Sequence, residues 1–143
     1  MKRPAYRFLP NVALADVAFS ARGDTPEALF EACAAALTEV MVDRRGVRRV
    51  TTREVSVRAR DIDTLLYDFL TELIVLKDVD SLLFKTFAAH ISHDQRRMEC
   101  TMSGETIDRK RHRLRNDVKA VTMHLFGVSH ERGVWRATVV LDI

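Results

Sequence analysis

The sequence has 143 residues, 47% hydrophobic and 30% charged, and its 23 basic and 20 acidic residues leave a net charge of +3. That size and balance suit a soluble globular chain with one domain over residues 1–143 and one core. No apolar run approaches the roughly 20 residues that span a bilayer. The basic start Met1-Lys2-Arg3-Pro4-Ala5-Tyr6 is followed by no apolar signal core before Pro10, so a cytoplasmic protein without a membrane partner is expected.

Asp16 to Arg22 reads as a strand, with Val17, Phe19 and Ala21 alternating against Ala18, Ser20 and Arg22. Gly23 ends it. Asp24-Thr25-Pro26-Glu27 is a helix start with two solutions. If Asp24 caps, Glu27 completes a capping box; if Thr25 caps, Pro26 takes the first helical position. The helix should run to about Val42, with Leu29, Phe30, Cys33, Leu37, Val40 and Met41 on its apolar face. Thr51 to Arg60 alternates as a second strand. Asp61 then caps a second helix, whose residues Ile62, Leu65, Leu66, Phe69, Leu70, Leu73 and Ile74 recur at three- and four-residue steps. It should end near Lys77.

Strand signals dominate from Leu83 onward. Leu83–Ser92, Arg97–Ser103, His124–Ser129 and Val134–Leu141 are the candidates, and the last is apolar on both faces, which favours an interior position. The fold class is α+β: two helices packed on a mainly antiparallel or mixed sheet.

Chemistry-bearing motifs are few. There is no phosphate-binding glycine loop, no Gly-x-Ser-x-Gly and no His-Glu-x-x-His. Cys33 and Cys100 belong to no Cys-x-x-Cys pair and read as reduced, buried thiols. His90 and His93, three apart on a strand, fall on opposite faces and make a poor metal pair; His112 and His124 are isolated. Two arginine groups stand out: Arg44, Arg45, Arg48, Arg49 and Arg53, then Arg96, Arg97, Arg109, Lys110, Arg111, Arg113 and Arg115. They are candidates for RNA phosphates, for a protein partner, or for solvated loops; no aromatic residues interleave with them as a stacking platform.

Carboxylates mark both ends of the sheet. Asp16 opens the first strand, and Asp142 closes the last, with the carboxylate of Ile143 directly beside it. If those two strands pair, three anionic oxygen groups meet and suit a hard divalent cation such as calcium or magnesium. The plainer reading is two strand-end aspartates bonded to turn amides or paired with arginine. Lys119, in Asn116-Asp117-Val118-Lys119-Ala120-Val121-Thr122, either anchors an anion, pairs with a nearby aspartate, or is an ordinary exposed lysine.

These segments resemble the archease family. Asn116 to His124 is similar to its T-E-V-K-A-(V/I)-T-Y-H segment, and Val139-Val140-Leu141-Asp142-Ile143 to its V-V-F-D-I ending. Leu65 to Leu73 resembles its L-L-Y-D-F-L-x-E-L helix, Ala15-Asp16-Val17 the A-D-V of its H-T-A-D-V signature, and Gly23 to Ala32 its first helix. Gly104-Glu105 and His112 fall where the family has a G-E and a K-H pair. The resemblance implies an α+β fold and a non-enzymatic accessory role. The implied partner is an RtcB-type RNA ligase of tRNA splicing or RNA repair, whose guanylylation and multiple turnover the family promotes. RNA would be contacted only indirectly or weakly. It also implies a metal, commonly calcium, held by Asp16, Asp142 and Ile143, with Lys119 as a candidate partner-facing residue. The signature histidine and threonine fall at Ala13 and Leu14, so this chain lacks both side chains. The alternatives from other classes are an RNA-binding module built on the arginine groups and a metal-dependent hydrolase. The second needs a water-activating base and an open metal position, and neither is found in the sequence. Self-association stays open.

Overall fold

The computed structural model describes residues 5–10 and 16–143. Its elements in chain order are β1 (Tyr6–Leu9), β2 (Asp16–Gly23), α1 (Pro26–Met41), a 3-10 turn (Arg44–Gly46), β3 (Thr51–Arg58), α2 (Ile62–Asp80), β4 (Leu82–Ile91), β5 (Arg97–Thr106), β6 (Ala120–Val121), β7 (Gly127–Glu131) and β8 (Val134–Asp142). The α+β class follows directly. The strands form two antiparallel sheets rather than one. The first has the order β1-β2-β8-β6, with β7 also paired to β8; the second has the order β3-β5-β4.

Helix α1 explains the division. Thr25 is its cap, the hydroxyl accepting a hydrogen bond from the Ala28 amide at 3.0 Å, and Pro26 takes the first helical position, where no amide hydrogen is needed. Asp24 is therefore not the cap. The helix is buried well beyond a single stripe: Ala32, Ala34, Ala35 and Ala36 are inside along with Leu29, Phe30, Cys33 and Leu37. Alanine removes bulk from the flanks of a helix, so strands can approach it on more than one side. Accordingly α1 packs against β2 of the first sheet and β4 of the second.

Helix α2 is capped by Asp61, which accepts from the Thr64 amide at 2.8 Å, and it ends on Ser81 with φ 55°. It runs three residues past Lys77 because the left-handed cap falls only there. Its apolar stripe covers the second sheet and meets α1, where the fully buried rings of Phe30 and Phe69 stack at 6.0 Å.

The interior position expected of the last strand is observed: β8 lies between β2 on one edge and β6 and β7 on the other. The expected strand His124–Ser129 begins later, at Gly127, because Leu125 adopts φ 57° and turns the chain. The β7–β8 hairpin closes through Arg132 and Gly133, both at positive φ, as the right-handed strand twist requires of a two-residue turn. Both thiols are buried and free. Burial pushes Cys33 far up and Cys100 up to about 12, so neither supplies a thiolate nucleophile.

One glycine is imposed by packing. The register of β4 on β5 shifts between Phe84 and Thr86, which presses the β4 backbone onto Gly104. A Cβ there would lie 1.9 Å from the Leu83 carbonyl oxygen. Gly104→Ala should therefore destabilise the protein by about 1–3 kcal/mol or more, read as a lower urea midpoint. An unchanged midpoint would show that β4 relaxes freely.

Candidate functional site

The pairing of β2 with β8 sets the site. Its register places Val17 opposite Leu141, Phe19 opposite Val139 and Ala21 opposite Ala137. Those residues face α1 and the core. Alternation then sends Asp16 and Asp142, which are register partners, to the other face of the sheet. On the far side of β8, Asp142 is opposite Ala120 of β6. The Lys119 amide donates to the Asp142 carbonyl at 2.8 Å, and the Thr122 amide donates to the Val140 carbonyl at 2.9 Å. Asp16, Asp142, Ile143 and Lys119 thus occupy one corner of the sheet.

Asp16, Asp142 and Ile143 are half-buried, and Lys119 is exposed. Two carboxylates directly opposite one another repel, so the corner is disfavoured unless a cation is near. Every donor it offers is oxygen, the chemistry of a hard divalent ion. Among the described residues no group of three His, Cys, Asp or Glu side chains is placed to hold a metal. Two aspartates, the main-chain oxygens of Ile143 and solvent would have to complete a coordination sphere. That set fits calcium or magnesium, which readily keep water ligands, better than a closed structural zinc site. Ala13, Leu14 and Ala15 lie outside the described residues.

The segment leading into β6 is anchored from beneath by a buried lysine. Lys77 Nζ donates to Asp117 Oδ1 at 2.5 Å and to the Val118 carbonyl at 2.8 Å, and pairs with Asp78 at 2.7 Å. Burial favours the neutral amine, but the hydrogen bonds and charges of Asp117 and Asp78 outweigh it and hold the lysine above its ordinary range. The sequence does carry a signal for this residue. Lys77 lies four past Leu73 on the apolar stripe of α2, where an unpaired charge would be costly.

A second buried polar cluster pins residues 107–112. Glu105 accepts from the Arg48 amide at 2.5 Å and also bonds Arg111 and His112, the last at 3.0 Å. The His112 Nδ1 accepts from the Asp108 amide at 2.8 Å, so the ring hydrogen sits on Nε2 and points at Glu105. His112 is therefore an interior structural residue, while His90, His93 and His124 are exposed. Burial opposes the Glu105 charge, yet the bonds from Arg48, His112 and Arg111 together bring its carboxyl down to about 2.

Five of the twelve residues in the two basic groups are held in ion pairs. Arg44 and Arg115 pair with Glu39 at 3.4 and 3.0 Å, Arg45 with Asp43 at 2.8 Å, Arg53 with Asp80 at 3.3 Å, and Arg111 with Glu105. The other seven, Arg48, Arg49, Arg96, Arg97, Arg109, Lys110 and Arg113, are exposed and have no ion pair among the described residues. No helix among the described residues is long and apolar enough to cross a membrane.

A two-sheet α+β domain with an acidic corner formed by its first long strand and its last defines the class. Comparison with known proteins then identifies it. Residues 6–143 match the Archease protein family (MTH1598/TM1083), and the chain belongs to that family. It is 36% identical over 132 residues to Protein archease of Pyrococcus abyssi, covering 90% of this chain and 93% of that protein. It is 37% identical over 131 residues to Protein archease of Methanothermobacter thermautotrophicus, with the same coverage of 90% and 93%. The solution structure of Methanobacterium thermoautotrophicum protein 1598 superposes with a TM-score of 0.86 at 35% identity, covering 99% of this chain and 100% of that one. The crystal structure of an archease from Thermotoga maritima, described as a possible chaperone, shares the fold with a TM-score of 0.64 at 19% identity. It covers 100% of this chain and 98% of that one.

The Glu105 cluster yields a pH test. A carboxyl held below its ordinary 4.5 contributes stability that is present above that value and lost as pH falls through about 2. Glu105→Gln should cost about 1.5–3 kcal/mol near neutral pH, and the gap from wild type should close between about pH 4.5 and 2. Denaturant titrations across that range would measure it; a gap independent of pH would remove the charge from the explanation.

Proposed function

We propose that this chain is an accessory factor that promotes guanylylation and multiple turnover of an RtcB-type RNA ligase, acting through a metal held at its acidic corner. The observation that carries the reading is the opposition of Asp16 and Asp142 in the β2–β8 register. Family membership supports an accessory role, and the all-oxygen donor set supports calcium, or another hard divalent ion, as the cofactor.

Asp16 and Asp142 hold the ion, and the main-chain oxygens of Ile143 complete the protein's share of its ligands. When bound, such an ion would offset the negative charge of the corner and offer its remaining coordination positions to oxygen ligands of a partner. The remaining work belongs to the chain itself. The β6 backbone fixes Asp142 from one side and β2 from the other, so the tip is presented as a rigid edge. Lys119, whose amide bonds the Asp142 carbonyl and whose exposed ammonium acts on Asp117, supplies a cation near the tip for the partner's acidic or phosphate groups. Docked near the ligase active site, such a tip helps arrange metal ions or the nucleotide for attack by the ligase's own nucleophile. RNA contact is then indirect or weak, since no aromatic stacking platform accompanies the arginine groups.

The decisive experiment is a multiple-turnover ligation assay with a purified RtcB-type ligase, with and without this protein. Wild type should raise turnover. Asp142→Asn, which keeps the side-chain shape, should lose the stimulation while retaining its circular dichroism spectrum. Its calcium affinity by titration calorimetry should fall by at least the roughly 10–100-fold seen on losing even an outer-shell partner. Full stimulation by Asp142→Asn would overturn the reading.

A further inference from the structure

The face of the first sheet that carries the acidic corner also carries a cationic one at its other end. Arg22 of β2 and Arg136 of β8 are register partners, and Arg7 of β1 is opposite Ser20, one diagonal step from Arg22. Alternation puts all three arginines on the face away from α1. Directly opposed residues have Cβ atoms about 4.5–5.5 Å apart, and diagonal ones no more than about 7–8 Å. Three guanidinium stems therefore rise from one small area.

They border a concavity of about 640 Å³, whose floor and rim include Tyr6, Ser20 and Thr138. That volume lies within the range of small-ligand sites. None of its lining residues is acidic. Among the described residues no carboxylate stands within ion-pairing distance of Arg7 or Arg136; they share that with other exposed arginines such as Arg48 and Arg49, and what sets them apart is their place around one concavity. Arg7 instead donates a long hydrogen bond from Nε to Ser20 Oγ, at 3.4 Å. That contact uses one of the five N–H groups of the guanidinium. Arg7 and Arg136 are exposed, so neither is paid for by burial in the core.

Like charges placed opposite one another on a sheet are destabilising. Here one such pair, Arg22 and Arg136, is directly opposed, with Arg7 a diagonal step away. We infer that this concavity is a binding site for a phosphate-type oxyanion carrying at least two charges. Arginine forks match phosphate oxygens bidentately, and the Ser20 and Thr138 hydroxyls add neutral donors from the floor. A single carboxylate would leave most of the positive charge unanswered. The phosphate can come from a nucleotide's polyphosphate or from an RNA strand, since both present the same oxygens. The inference is independent of the ligase reading, because it uses none of Asp16, Asp142 or Lys119.

The test uses the whole protein with two probes at matched ionic strength: inorganic pyrophosphate and a short RNA oligonucleotide without terminal phosphates. At least one probe should raise the melting temperature and shift the amide resonances of Ser20 and Thr138. A response to pyrophosphate alone assigns a polyphosphate source, and a response to the RNA assigns backbone phosphates. Arg136→Gln should match or exceed the wild-type melting temperature without ligand, since it relieves the Arg22–Arg136 opposition. It should weaken probe binding by about tenfold or more, the cost of a lost charge-assisted hydrogen bond. Arg7→Gln combined with Arg136→Gln should abolish the response. No response of wild type to either probe, or an undiminished response in the double variant, would overturn the inference.

Discussion

The pairing of β2 with β8 is the constraint on which the rest of the molecule depends. Phe19, Ala21, Val139 and Leu141 must all face α1, and only one register of the two strands achieves that. A slip of one residue would turn every one of these side chains to the opposite face. The core therefore fixes the register, and the register fixes what happens on the other side. Asp16 meets Asp142 and Arg22 meets Arg136, whether or not those meetings are favourable by themselves.

Neither meeting is. Two aspartates opposed at one end and two arginines opposed at the other are the pairings that cross-strand energetics disfavour. They are about 20 Å apart, six residues along a strand at about 3.3 Å each. Exchanging one residue between the two pairs would have produced two favourable salt bridges on the same backbone. The actual arrangement separates the charges into an acidic pole and a basic pole. Apolar burial by α1 and α2 bears that cost, and at the basic pole Arg7 and Arg136 have no carboxylate beside them among the described residues.

Much of the fold was legible because its determinants are local. The Thr25-Pro26 start, the Asp61 cap, the stripe Leu65-Leu66-Phe69-Leu70-Leu73 and the alternation of Val134 to Leu141 each state their element outright. The split into two sheets was not legible, because it follows from α1 being slim enough to accept strands from both, which concerns packing and not periodicity. The short β1 and β6 carry too few residues to show a period, and Leu125 turned a plausible strand into a turn. For the sites the contrast is sharper. Asp16 and Asp142 were visible as strand-end carboxylates, and pairing of the two strands was the one condition needed. The Arg7, Arg22 and Arg136 group was invisible, because its members come from three strands and belong to neither arginine run. Glu105 and His112 lie seven residues apart with no periodic pattern linking them; their mutual bond appears once β5 and the 107–112 loop are folded together.

The donor chemistry of the proposed metal corner follows from the strands that build it. The side chains brought there by β2 and β8 offer oxygen alone. Oxygen-only sets with room for water favour calcium and magnesium. Rigidity then has to come from the frame rather than from a tight ligand shell. The frame supplies it twice: β2 and β6 clamp the end of β8 from both edges, and Lys77, buried beneath, holds Asp117 and Val118 so that the chain enters β6 at a fixed place. A corner built in this way depends on the register and on one interior lysine for its shape, so where the two aspartates stand is set by the frame and not by the ligands around them.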